Sequence, residues 1–455
     1  MNSTNLKDLP IMDRAPRKRP ELLAPGGTLE KIRIAFLYGA DAVYASGKDF
    51  GLRGFARNLD AEELATATFI SHRLGKKIYV TVNIFAREPD LEKLPAYLEY
   101  LAELGVDALI ISDPGVLALA RKYASDIPIH LSTQANTTNS SSVEFWCRQG
   151  VCRINLAREL SLSEIAVIAL KSKAEIEVFV HGAMCISYSG RCLMSSFLNP
   201  SAPPPKKGGE NGGTSPLLQK GWDRSANGGF CTQPCRWSWG LVEEKRPGEV
   251  FTIEEDRRGT YIFNSKDLCL IEEVGELAHI GVDSFKIEGR MKGPLYLASV
   301  TRAYRLAVER YADRRTAYTV EPAWFEDLEK VSHRPYTKGN FFGNHQSSGS
   351  NVERHISYVQ THTLAGIVRA CPDCDAAGEE WKTDGKIFLE ARSRLVPGIR
   401  LEFLNPDGSS IFHLLDSFED INGNRLSQAH PNSLVRFHVD FPVFPFEAVR
   451  TAIKD

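Results

Sequence analysis

The sequence predicts an α/β fold: a TIM-type (β/α)8 barrel with a long loop insertion, followed by a small C-terminal β-barrel domain. Three observations carry this. A helix–glycine–strand junction recurs between residues 20 and 290, eight strand-like segments lie in the same stretch, and from about residue 362 short strands with tight turns replace the helical texture. At 455 residues and 43% hydrophobic content the chain can bury more than one core.

The junction appears at Gly39–Tyr44 (GADAVY), Gly105–Ile110 (GVDALI), Gly150–Asn155 (GVCRIN) and Gly281–Lys286 (GVDSFK). Each follows a helical pattern. The glycine supplies a left-handed helix cap, and the apolar residues behind it begin a buried strand. The eight expected strands are Glu21–Ala24, Ala42–Ala45, Lys77–Asn83, Ala108–Ser112, Ile129–Ser132, Arg153–Leu156, Ile176–Val180 and Ser284–Ile287. An open doubly wound sheet is the rival. The count of eight, and the lack of a phosphate-binding glycine-rich turn after the first strand, favour the barrel.

In order, residues 1–19 read as a disordered tail with a basic cluster, Arg14, Arg17, Lys18 and Arg19, either solvated or facing phosphate. Residues 20–345 form the barrel. Within it, 199–230 is rich in Pro and Gly and reads as a flexible insertion. Val300, Tyr304, Ala307, Val308 and Tyr311 make an apolar helical stripe suited to the core. Residues 362–455 form the small β domain, with strands at Lys386–Ala391, Ile399–Phe403 and Leu434–Val439 and turns at Asn405–Gly408 and Asn422–Gly423.

A net charge of −2 does not announce a nucleic-acid binder, although a local patch would suffice. The N-terminal residues lack the apolar region of a secretory signal, and no apolar run is long enough to span a membrane. The expectation is a cytoplasmic protein with no membrane and no DNA partner. Nine cysteines in that setting point to metal or redox chemistry before disulfides.

Barrel chemistry sits where the strands end. The polar residues there are Ser46, Asn83, Ser112, Asp113, Ser132, Gln134, Asn136, Arg158, Glu159, His181, Glu288 and Arg290. Beyond the seventh strand come Cys185 and Cys192, then Cys231 and Cys235 in CTQPCRW. Four thiolates hold zinc or an iron–sulfur cluster; spacings of six and three residues suit two zinc knuckles poorly, and plain free thiols stay open. Cys269 is a reserve ligand, although its apolar context favours a structural thiol. Cys147 and Cys152 read as core, and Cys371 and Cys374 as a surface turn.

The segment Glu177–Ser195, with E-x-F-x-x-G-A-M-C-x-x-x-x-G-x-C-x-M-S, resembles the signature of the U-32 peptidase (collagenase-like) family. PELLAPGGTLEKIRIAFLYGADAVY near the start and the 264–292 segment extend the likeness, which is greatest toward the tRNA hydroxylation proteins of that family. The resemblance implies a 4Fe-4S cluster on Cys185, Cys192, Cys231 and Cys235, tRNA as partner, hydroxylation of the wobble uridine, and prephenate as oxygen donor. For a dicarboxylate donor, Arg158 and Arg290 offer guanidinium groups. Asn83 and Gln134 are further substrate contacts, and His181, Glu288 and Arg290 the catalytic candidates.

The family name also implies peptide hydrolysis. His181 stands four residues from Cys185, but HExxH and GxSxG are both absent. A peptidase is the alternative function. A non-catalytic scaffold carrying the cluster, and a glycosidase using Glu159 and Glu288, are the remaining readings.

Overall fold

The computed structural model describes residues 19–48, 50–51, 58–184, 189, 266–313, 318–342, 358–369 and 385–453, with short paired strands between 241 and 265 and at 352–353. The N-terminal tail up to residue 18 and the 199–230 insertion lie outside the described residues.

Seven parallel strands come first: β1 (Glu21–Pro25), β2 (Ala42–Ala45), β3 (Lys77–Val82), β4 (Ala108–Ile111), β5 (Ile129–Leu131), β6 (Val151–Asn155) and β7 (Glu175–Ala183). β8 (Asp267–Cys269) then runs antiparallel to the end of β7. β9 (Ser284–Ile287) closes the ring, pairing in parallel with β1 at Glu21 and with β7 at Glu177. The eight strands expected from sequence are β1 to β7 and β9, and their closure excludes the open sheet. The four junction glycines, Gly39, Gly105, Gly150 and Gly281, all have φ between +69° and +97°. That conformation costs an L side chain energy and costs glycine none.

The helices that pack outside the ring include α1 (Leu29–Leu37), α2 (Ala61–Arg73), α3 (Leu94–Leu104), α4 (Pro114–Tyr123), α5 (Ser140–Arg148), α6 (Leu162–Lys171), α7 (Val274–His279), α8 (Pro294–Asp313) and α9 (Pro322–Lys330). Thr28, Asp60, Asp113, Asn139 and Ser161 cap five of them, each accepting a hydrogen bond from the first helical turn. In α8 the stripe of Val300, Tyr304, Ala307 and Val308 is fully enclosed against the barrel. No described helix is long and apolar enough to cross a membrane.

A short strand, β10 (Tyr336–Thr337), extends the barrel sheet beside β8. The small β domain follows: β11 (His362–Arg369), β12 (Lys386–Ala391), β13 (Ile399–Leu404), β14 (Ser410–Leu415), β15 (Phe418–Glu419), β16 (Arg425–Leu426), β17 (Leu434–His438) and β18 (Ala448–Ala452). They form one antiparallel half-barrel in the order β14-β13-β18-β11-β12-β17-β15-β16. Ile387, Leu389, Leu401, Phe403, Val435 and Val449 fill its core.

This domain is fused to the barrel. Ile367, Leu404, Phe446 and Ala448 join the barrel's own core. The Tyr38 hydroxyl donates to the Leu404 carbonyl at 2.7 Å and accepts from the Ala448 amide at 2.9 Å. Around that contact Arg302 pairs with Asp327, and Arg450 with both Asp327 and Glu402.

Candidate active site at the barrel mouth

Side chains alternate across a strand, so each barrel strand sends every second residue inward. On β6 those are Arg153 and Asn155; on β7, Glu177 and Phe179; on β9, Ser284 and Lys286. The contacts fix this assignment. Arg153 pairs with Glu21 and donates to Glu175 at 2.7 Å, and lies 3.6 Å from Glu177. Lys286 donates to Glu177 at 2.9 Å, and Ser284 to the same carboxylate at 3.1 Å. Tyr79 donates to Glu21 at 2.8 Å. The floor of the barrel is therefore a network of paired charges, which is how such groups tolerate burial. His130 also stands in this layer. Burial, with Arg153 and Lys286 adding to it, pushes its pKa well below the usual range, so it is neutral.

Above the floor two aromatic rings line the wall. The Lys286 ammonium lies 4.7 Å from the Tyr44 ring and 5.5 Å from the Phe179 ring. The Arg158 guanidinium covers Phe179 at 3.9 Å and donates to the Ala183 carbonyl at 2.8 Å. Tyr44 also donates to the Ile287 carbonyl at 3.0 Å and meets the Glu288 carboxylate at 3.5 Å. Arg290 is buried and donates to Asn58, and Lys31 donates to the Arg290 carbonyl at 3.1 Å. Burial lowers the Lys31 pKa and the nearby Arg290 charge lowers it further, against the opposing effect of Glu30. On the other side of the mouth Asn83 donates to Ser132 at 3.1 Å, and Ser112 donates to the Asn83 carbonyl at 3.2 Å. Gln134 sits on a tight turn, Thr133–Ala135, whose Gln134 amide donates to Ser132 at 3.4 Å.

His181 is set apart from this group. Pairing between β7 and β9 slips by one residue, from Phe179 opposite Lys286 to His181 opposite Ile287. A one-residue bulge moves the following side chain out of phase. The His181 ring instead meets Tyr296 and Tyr304 of α8 and Tyr336, at 5.8, 5.4 and 5.4 Å. It is 1% exposed, and burial pushes its pKa down to about 3 despite the opposing Asp267 charge. A ring so enclosed and so weakly basic is not equipped to carry protons at neutral pH. At Gly182, with φ +107°, a side-chain carbon would meet the Glu288 carbonyl oxygen at 2.5 Å, so glycine permits the close approach at which the Glu288 amide donates to the His181 carbonyl at 2.9 Å.

Cys185, Cys192, Cys231 and Cys235 lie outside the described residues, as do Cys371 and Cys374. The chain on either side of Cys185 is anchored at the mouth. Ala183 is held by Arg158, and the Ser189 amide and hydroxyl donate to the Glu159 carboxylate at 2.7 and 3.2 Å. Cys269 lies on β8 opposite His181, 2% exposed and 4.0 Å from the Tyr304 hydroxyl, and burial pushes its thiol up to about 11. That is the setting of a structural thiol. Cys152, expected in the core, is exposed, because on β6 it alternates with the inward Arg153 and so stands on the outer face of the ring. Among the described residues no group of three or more His, Cys, Asp or Glu side chains is placed to hold a metal.

The floor residues Glu177, Arg153 and Lys286, with Asn155 and Phe179, are absent from the sequence-based site. Their signal was present. Charged and polar residues at every second position of otherwise buried strands mark an inward polar face.

The sequence matches the profile of Peptidase family U32 over residues 27–351 and that of the Peptidase family U32 C-terminal domain over residues 361–450. The chain belongs to peptidase family U32. Among curated U32 relatives, the tRNA hydroxylation protein P1 of Bacillus subtilis is 34% identical over 96% of both chains. The tRNA hydroxylation protein P of Escherichia coli is 34% identical over 90% of this chain and 91% of its own. The 23S rRNA 5-hydroxycytidine C2501 synthase of Escherichia coli is 34% identical over 91% of this chain and 59% of its own.

Proposed function

We propose that this U32 protein hydroxylates a pyrimidine of RNA, namely the wobble uridine of tRNA at C5, with prephenate as oxygen donor and a 4Fe-4S cluster on Cys185, Cys192, Cys231 and Cys235. The observation that carries the reading is the double anchoring of the Cys185 segment, by Arg158 and Glu159, at a barrel mouth that also gathers Asn83, Glu288 and Arg290. Two of the relatives are named for tRNA hydroxylation, and both are matched over nearly their whole length.

Replacing the C5 hydrogen by hydroxyl is a two-electron oxidation of the base. The donor gives up an oxygen atom and is reduced by the same two electrons. A cluster of this kind supplies one-electron transfer, which side chains do not. Arg158 and Arg290 would meet the donor's carboxylates with charge-assisted hydrogen bonds. Glu288, beside the Tyr44 hydroxyl, would take the C5 proton. The peptidase alternative gains nothing from the enclosed, neutral His181, which a thiol nucleophile would need as its base.

The test is nucleoside analysis of tRNA from cells lacking the gene, with and without the plasmid-borne protein, alongside iron and sulfide analysis of anaerobically purified protein. Return of 5-hydroxyuridine with the wild type, and its loss with Cys185→Ala or Cys231→Ala together with iron, supports the reading. Unchanged tRNA, or zinc in place of iron, sinks it.

A further inference from the structure

Inside the barrel, Asn155 stands at the end of β6 on the face that Arg153 marks as inward. It is 2% exposed, and neither its Nδ2 nor its Oδ1 has a hydrogen-bond partner among the described residues. A buried amide with both groups unmet costs several kcal/mol of lost hydration, so such a group calls for a partner. The partner must present an acceptor and a donor side by side, because that is what a carboxamide offers in one plane.

The surroundings narrow the choice. The charges around Asn155 are paired with one another: Lys286 with Glu177, the register partner of Asn155 on β7, and Arg153 with Glu21 and Glu175. The Tyr44 and Phe179 rings nearby already carry cations, Lys286 over both and Arg158 over Phe179, so the unmet group on this inward face of β6 is the neutral carboxamide of Asn155. A carboxylate there would meet one amide donor and one repelling carbonyl. Positive charge instead stands at the rim, on Arg158, Arg290 and Lys31, where the anionic donor and the RNA phosphates would both approach. A neutral flat ring inside and an anionic group outside is the charge pattern of a nucleotide entered base first.

We propose that Asn155 reads the imide edge of a uracil base drawn into the barrel, its carbonyl accepting from N3–H and its amide donating to a ring carbonyl oxygen. The reading rests on the RNA function proposed above and adds the residue that selects the base. Enzymes that act on a base atom take the base out of its stack and read its pairing edge in this way. Asn155 is then a substrate-binding residue.

The test uses the full-length protein and two synthetic anticodon stem-loops, one with uridine at the wobble position and one with N3-methyluridine there, with binding read by fluorescence anisotropy. The methyl group removes the N3–H and leaves the phosphates unchanged. A bidentate pair corresponds to roughly 10–100-fold in affinity. The wild type should prefer the unmethylated loop by about that factor. Asn155→Ala and the near-isosteric Asn155→Leu should bind both loops alike, at the level the wild type shows for the methylated one. The apolar Leu variant removes the unmet amide, so one of the two is expected to fold. If the variants keep the preference, or the wild type shows none while still binding RNA, the inference falls and the RNA reading stands. If the wild type binds neither loop, the RNA reading falls as well.

Discussion

The molecule buries two networks of charge. One lies inside the barrel, where Glu21, Arg153, Glu177 and Lys286 close the floor. The other lies between the domains, where Arg302, Asp327, Arg450 and Glu402 form a chain. Both pay desolvation, and both answer it with close pairing. They differ in what the bridging cation joins. On the floor each carboxylate has several donors: Glu177 meets Lys286, Ser284 and Arg153. In the seam the Arg450 guanidinium bridges the two domains by holding Asp327 and Glu402 together; Lys330 at 3.4 Å and the His362 ring at 3.8 Å also face Glu402, and Arg302 pairs with Asp327. The floor supports a site; the seam fixes one domain on another.

This difference sets the order of effects. Arg450→Met should be the most damaging change. It leaves Glu402 and Asp327 under-compensated in a dry interface, at a cost on the order of 3–5 kcal/mol. Thermal melting followed by domain-resolved limited proteolysis should show the C-terminal domain cleaved first. Lys286→Met on the floor should cost less, about 1–3 kcal/mol, because Glu177 retains Ser284 and Arg153. Its main effect should be on RNA modification, since Lys286 also lies over Tyr44 and Phe179. If the two variants melt alike, the domain-bridging position of Arg450 is not what separates the networks.

The two networks were also unequally visible in the sequence. The barrel was legible because its signals are local: the glycine junctions and the apolar runs behind them repeat within a few tens of residues. The floor was legible in principle, through Arg153 and Asn155 or Ser284 and Lys286 at every second position. The seam was not, because residues 302, 327, 402 and 450 meet only once both domains have folded, and no periodicity links them. His181 shows a third kind of limit. Its position at the end of β7 was read correctly, but a single bulge decides which way the ring turns, and nothing in the local pattern announces that slip.

The seam should further betray itself through pH. Glu447 is enclosed beside Tyr38, and burial pushes its carboxyl up to about 8 although the Phe444 amide donates to it at 2.9 Å. Its ordinary value is 4.5, so the folded state binds the extra proton between the two. The stability it contributes is complete below about 4.5 and lost as pH rises toward 8. Glu402 runs the other way. Burial opposes its charge, but the Arg450 hydrogen bonds outweigh that and hold it at about 2, so its contribution is present above 4.5 and lost as pH falls toward 2. Glu447→Gln should therefore raise the melting temperature by several degrees at pH 8–9, with little change at pH 5. Equal shifts at both values would mean that Glu447 is ionised in the fold.

The smallest structural change belongs at the mouth. Glu159 is half-way up neither network; it is a positioning group whose carboxylate holds the Ser189 amide and hydroxyl, between Cys185 and Cys192 in sequence. Glu159→Gln keeps the shape and one acceptor, and should leave melting within about 0.5 kcal/mol of wild type. If the four thiols hold a cluster, a loosened segment should release it sooner. The visible absorbance of anaerobically purified protein should then decay several-fold faster in air than that of the wild type. Glu159→Ala, with no acceptor, should exceed Glu159→Gln in this respect while both melt close to the wild type. A decay rate unchanged in both would separate the Ser189 anchor from the thiols, and would leave Arg158 at Ala183 as the contact that fixes the segment.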